Sequence, residues 1–62
     1  MAIKLEFKQI VDTADLVEGK AYWVTFAFNS LERAVYSNGK FDRPRWIESV
    51  HPQQLTIFER VD

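Results

Sequence analysis

Sixty-two residues, a formal net charge of −1 and no cysteine limit this chain to one small domain with no disulfide framework and no thiolate metal site. A single histidine, His51, excludes most zinc constellations, and near-neutral charge argues against a dedicated nucleic-acid binder. No apolar run approaches the roughly 20 residues that span a bilayer, so no membrane partner is expected.

Residues 3 to 11 open the chain with alternation: Ile3, Leu5 and Phe7 against Lys4, Glu6 and Lys8. This predicts a half-buried strand with Ile3, Leu5 and Phe7 inward, ending or bulging at Ile10-Val11. The same segment lacks the basic and continuous apolar regions of a signal peptide, and a cytoplasmic location is expected. Residues 12 to 20 form an acidic connection. Asp12 or Thr13 is placed to N-cap a helical turn that Gly19 ends, with Leu16 and Val17 plugging the core.

Ala21-Tyr22-Trp23-Val24-Thr25-Phe26-Ala27-Phe28 is the strongest strand signal, with four aromatic rings and two β-branched side chains in eight residues. Period two sets Tyr22, Val24, Phe26 and Phe28 on one face and Trp23 on the other. With the first set in the core, Trp23 needs a second layer, an oligomer or a partner to cover it.

Two readings of residues 30 to 37 stand. Asn29 with Glu32 and the spacing of Leu31, Ala34 and Val35 fit a two-turn helix. The preferred reading makes residues 33 to 37 a strand that turns at Asn38-Gly39 into Lys40-Phe41, because Asn-Gly demands the positive φ angles of a type I′ hairpin. Pro44 interrupts pairing, Trp46-Ile47 resumes it, His51-Pro52 breaks it again, and residues 54 to 60 form the last strand with Leu55 and Ile57 inward.

The expected fold is one mainly β domain spanning 1–62, a small twisted antiparallel sheet or barrel-like unit of four or five strands with at most one or two helical turns. An α+β domain with a short helix at 30–37 is the alternative. The expected core is Ile3, Leu5, Phe7, Leu16, Tyr22, Val24, Phe26, Phe28, Val35, Leu55 and Ile57.

Several residue sets carry chemistry. Lys40, Arg43 and Arg45 interleave with Phe41 and Trp46, pairing cations for phosphates with rings for bases, as single-stranded nucleic acid requires. Against this, Phe41 and Trp46 also suit a core, and Asp42 and Glu48 dilute the charge. Asp12, Asp15 and Glu18 are too few to build a hard-metal site and read as a solvated acidic loop. His51 has no cysteine or glycine-flanked serine to activate, so catalysis and cofactors are not expected. Tryptophan and arginine are the residue types enriched at binding hot spots, which singles out Trp23, Trp46 and the basic 40–46 segment as interaction candidates.

The run from Asp15 through Glu18-Gly19-Lys20 to Val24, followed by Tyr36-Ser37-Asn38-Gly39-Lys40-Phe41, resembles short proteins encoded by phages and prophages. In these a leader strand, an acidic turn, Gly-Lys, an aromatic strand and a hairpin follow one another. The resemblance is one of layout over about half of the chain, and it carries no functional residue. It implies an accessory protein that binds a host macromolecule. The expected function is thus a non-enzymatic interaction protein that binds or inhibits a host complex such as a defence system. A single-stranded nucleic-acid binder and an oligomerising phage component are the alternatives.

Overall fold

A computed structural model describes residues 6–26 and 31–61. Five antiparallel strands form one sheet: β1 (Glu6–Ile10), β2 (Ala21–Thr25), β3 (Glu32–Ser37), β4 (Lys40–Asp42) and β5 (Thr56–Val61). Their order in space is β1-β5-β2-β3-β4, so the last strand inserts between the first two. Short 3₁₀ turns at Thr13–Asp15 and Pro52–Gln54 are the helical elements among the described residues. The mainly β expectation holds, and the helix at 30–37 gives way to the hairpin.

The hairpin follows from local chemistry. Asn38 and Gly39 take φ of 53° and 75°, the two positive angles of a type I′ turn. That turn sets Ser37 opposite Lys40 and Tyr36 opposite Phe41. Phe41 is completely buried and packs edge-on to Tyr22 and tilted against Tyr36, with ring centroids 6.0 and 5.2 Å apart. Burial of Phe41 draws Tyr36 and Ala34 to the core side, so alternation sends Val35 outward, where it is 43% exposed. The expectation of a buried Val35 is corrected by this parity.

Ile10, Tyr22, Val24, Ala34, Phe41 and Ile57 form the core, with Leu16, Tyr36, Trp46 and Leu55 packed against it. Ile10, Ile57 and Val24 lie opposite one another across three strands and make one aliphatic row. That row fixes the parity of β1 and overturns a second expectation. Phe7, three positions before Ile10, lies on the other face and is 39% exposed. Ile3, Leu5 and Phe28, also expected in the core, lie outside the described residues. Phe26 is half-buried with its ring 5.6 Å from that of Trp46.

The β1–β2 connection is pinned to the hairpin. Asp12 caps the first 3₁₀ turn by accepting a 2.9 Å bond from the Ala14 N–H. Leu16 ends that turn and packs on the core, but Val17, expected beside it, is 56% exposed. Gly19, at φ 81°, occupies the left-handed position of a separate turn closed by Lys20 N–H donating to Val17 C=O. Gly19 N–H donates to Tyr36 C=O, and Tyr36 N–H to Lys20 C=O. The Glu18 carboxylate accepts from the N–H groups of Asn38 and Gly39 at 2.9 and 3.3 Å. Glu18 therefore clamps the hairpin tip. Glu18→Ala should cost about 1 kcal/mol of stability, read as a lowered urea midpoint with unchanged slope. A midpoint equal to that of the parent chain would show that the clamp contributes nothing.

The far end of the sheet closes differently from the sequence expectation. Pro44 lies in a turn closed by Trp46 N–H donating to Arg43 C=O at 3.0 Å. No strand resumes at Trp46-Ile47, and Ile47 is fully exposed. Pairing returns only at Val50, which exchanges two 2.8 Å bonds with Phe41. His51 then caps the turn containing buried Pro52, and Gln54 Oε1 accepts from the His51 N–H.

Candidate functional site

Strand alternation places Trp23 opposite the side occupied by Tyr22 and Val24, and the register shows what surrounds it. Trp23 stands directly across from Phe58 on β5 and from Arg33 on β3. Gln9 on β1 faces Phe58 in turn, so Gln9, Phe58, Trp23 and Arg33 form one row over four strands. Directly opposed residues share a face. Phe7 belongs to the same face and meets Trp23 edge-to-face, with ring centroids 6.0 Å apart at 84°. Trp23 and Phe58 are half-buried and Phe7 is more open. The three rings make an apolar patch on the side of the sheet away from the core.

Charge is unevenly spread over this face. Arg33 lies beside Trp23, Arg60 lies opposite Phe7, and Lys40 and Asp42 occupy the β4 end. Three cations thus stand against one carboxylate among its described residues. An open cleft of about 350 Å³ adjoins the patch, lined by Arg33, Val35, Asp42, Arg43 and Pro44. The Nε of Arg43 is enclosed without a hydrogen bond in the chain, while Nη1 reaches Glu32 at 3.6 Å.

The six interaction candidates are divided by the fold. Trp23 is on the outward face. Phe41 is wholly buried, so its ring is closed to any stacking base. Trp46 leans on the core and on Phe26. Arg43 is tied to Glu32, and Lys40 and Arg45 are exposed. The 40–46 segment therefore brings cations to the surface without the rings that were to accompany them. Phe7, Phe58 and Arg33, which sequence reasoning passed over, are the residues that join Trp23. One signal was available for Phe58: with Leu55 and Ile57 inward, alternation already turned Phe58 the same way as Trp23.

The acidic triad does not converge. Asp12 is a cap and Glu18 a clamp. Among the described residues no group of three or more histidine or carboxylate side chains is placed to hold a metal ion. No described helix is long and apolar enough to cross a membrane.

Across the opposite face runs a charged row. Lys8 lies opposite Glu59, and Glu59 pairs with Lys20, whose ammonium also sits 5.4 Å from the centroid of the Tyr22 ring. The Tyr22 hydroxyl, at the edge of the core, accepts from Val17 N–H at 2.9 Å. The hydrogen bond from Lys20, with its charge and that of Lys8, holds the Glu59 carboxyl below its ordinary 4.5, and the bond to Glu59 raises Lys20 above 10.5. A carboxyl depressed in the folded state adds stability above its unfolded value and loses it as pH falls through the folded one. A lysine raised in the folded state adds stability that is complete below 10.5 and lost above it. The thermal midpoints of the parent chain and Glu59→Gln should therefore stay apart from pH 7 to 4.5 and converge as pH falls further. A gap that stays constant from pH 7 to well below 4.5 would contradict the pairing.

The chain matches no protein-family model, and comparison with curated proteins and with solved structures finds no match.

Proposed function

We propose that this chain is a non-enzymatic interaction module that docks on a partner protein through its outward aromatic face. The observation that carries this reading is the Phe7–Trp23 pair, with Phe7 exposed and Trp23 half-buried beside Phe58 and flanked by Arg33 on the side away from the core. A small domain gains nothing in folding by leaving large rings half in water, whereas aromatic anchors beside arginine are what interfaces use. The excess of cations on the face and the unpaired Arg43 Nε in the adjoining cleft favour a partner that presents carboxylates around an apolar knob.

Protein is favoured over single-stranded nucleic acid by the ring geometry. Phe7 and Trp23 stand nearly perpendicular, and an edge set against a face offers poor support for successive parallel bases. The net charge of −1 agrees. The phage-like layout of the sequence favours a host complex, such as a defence complex that the module inhibits, as the source of the partner. Capture from host lysate with the tagged chain, Trp23→Ala, and a Lys40/Arg43/Arg45→Ala triple variant tests the reading. A protein retained by the parent chain and lost by Trp23→Ala, with nuclease treatment indifferent, is the expected result. Retention by Trp23→Ala, or release by nuclease, would overturn it.

A further inference from the structure

We propose that β1 is a self-complementary edge through which two copies of the chain pair antiparallel about a two-fold axis centred on Phe7. β1 is the edge strand of the sheet, with β5 on one side and no described strand on the other. The opposite edge differs, because Val50 bonds to Phe41 and covers part of β4. An edge strand is a template for another strand.

The charges of β1 favour one register. Side chains must keep their face across the new ladder, so opposed positions must have an even sum. Centring on Lys8 sets Lys8 against its own symmetry mate, centring on Glu6 sets Glu6 against Glu6, and centring on Gln9 sets Lys8 against Ile10 and brings no opposite charges together within β1. Like charges directly opposed are destabilising. Centring on Phe7 instead sets Glu6 opposite Lys8 twice and Phe7 opposite Phe7 once. This is the isologous arrangement that a two-fold axis requires.

Both faces of the sheet gain from this register. On the charged face the row Lys20, Glu59, Lys8 holds two cations and one carboxylate. Glu6 of the second copy continues it in strict alternation. On the aromatic face Phe7 is 39% exposed and already packed on Trp23. Its symmetry mate extends the patch into a stripe of Trp23, Phe7, Phe7 and Trp23. Self-pairing leaves the Trp23 face open and does not depend on the partner proposed above.

The test is sedimentation equilibrium of the full chain at neutral pH and low salt. The weight-average mass should rise from 7.3 kDa towards twice that value between about 1 µM and about 1 mM. Glu6→Lys alone and Lys8→Glu alone should each sediment as monomers over that range, and an equimolar mixture of the two should recover the dimer. Because Lys8→Glu also faces Glu59, a second measurement stands apart from charge. The chain has no cysteine, so Phe7→Cys should oxidise readily to a disulfide-linked dimer and Gln9→Cys should not. A monomeric parent chain at the highest concentration would overturn the proposal. So would a dimer indifferent to both charge reversals, or one linked more readily through Gln9→Cys.

Discussion

Phe41→Ala is expected to unfold the domain. Among the described residues Phe41 is the one core ring with no exposed surface, and it packs on both Tyr22 and Tyr36. Removing a fully buried phenylalanine costs about 3–5 kcal/mol, through lost transfer energy and the cavity left behind. A domain of this size holds only about 5 kcal/mol in total. The loss also reaches the backbone, because Phe41 exchanges both hydrogen bonds with Val50 and so anchors the 43–50 loop. Circular dichroism at 25 °C should show a chain largely unfolded, and Phe41→Leu should recover much of the signal. A cooperative melt close to that of the parent chain would remove Phe41 from the centre of the core.

Trp23→Ala is expected to separate folding from binding. Trp23 is half-buried, and its main described ring contact is Phe7. An aromatic pair is worth about 0.5–1.5 kcal/mol beyond its area, so the variant should remain folded with about 1–2 kcal/mol less stability. Affinity for the captured partner should fall by at least about 2 kcal/mol, or roughly thirtyfold. Phe7→Ala should follow the same direction with a smaller loss. Calorimetric titration of the purified partner measures both. A Trp23→Ala chain that unfolds would make Trp23 a structural residue, and one that binds normally would move the interface elsewhere.

The contrast between these two residues marks how far the sequence could be read. Period two in the aromatic strand separated Tyr22 and Val24 from Trp23, and Asn38-Gly39 dictated its own turn, because both signals are local. The parity of β1 was not local. Alternation established that Phe7 shares a face with Leu5, but both faces of this sheet are partly apolar. Only the register of Ile10 with Ile57 and Val24 decides which one Phe7 joins. The same holds for Val35, turned outward by a hairpin register that burial of Phe41 enforces. Glu18 looked like a member of an acidic cluster, yet its partners are N–H groups 20 and 21 residues away. Of the interaction candidates, Trp23 was legible from one strand alone. Its neighbours Phe7, Phe58 and Arg33 come from three other strands, and the insertion of β5 between β1 and β2 brings two of them to it.

Placement of the working surface on the outward aromatic face, and not at the 40–46 corner, is tested most directly by oxidative footprinting. Hydroxyl-radical labelling of the free chain and of its complex with the captured partner compares Phe7, Trp23 and Phe58 with Trp46 in one experiment. Strong protection of Phe7, Trp23 and Phe58 on binding, with Trp46 unchanged, is the expected result. Protection of Trp46 with Phe7 and Trp23 labelled as freely as before would contradict it.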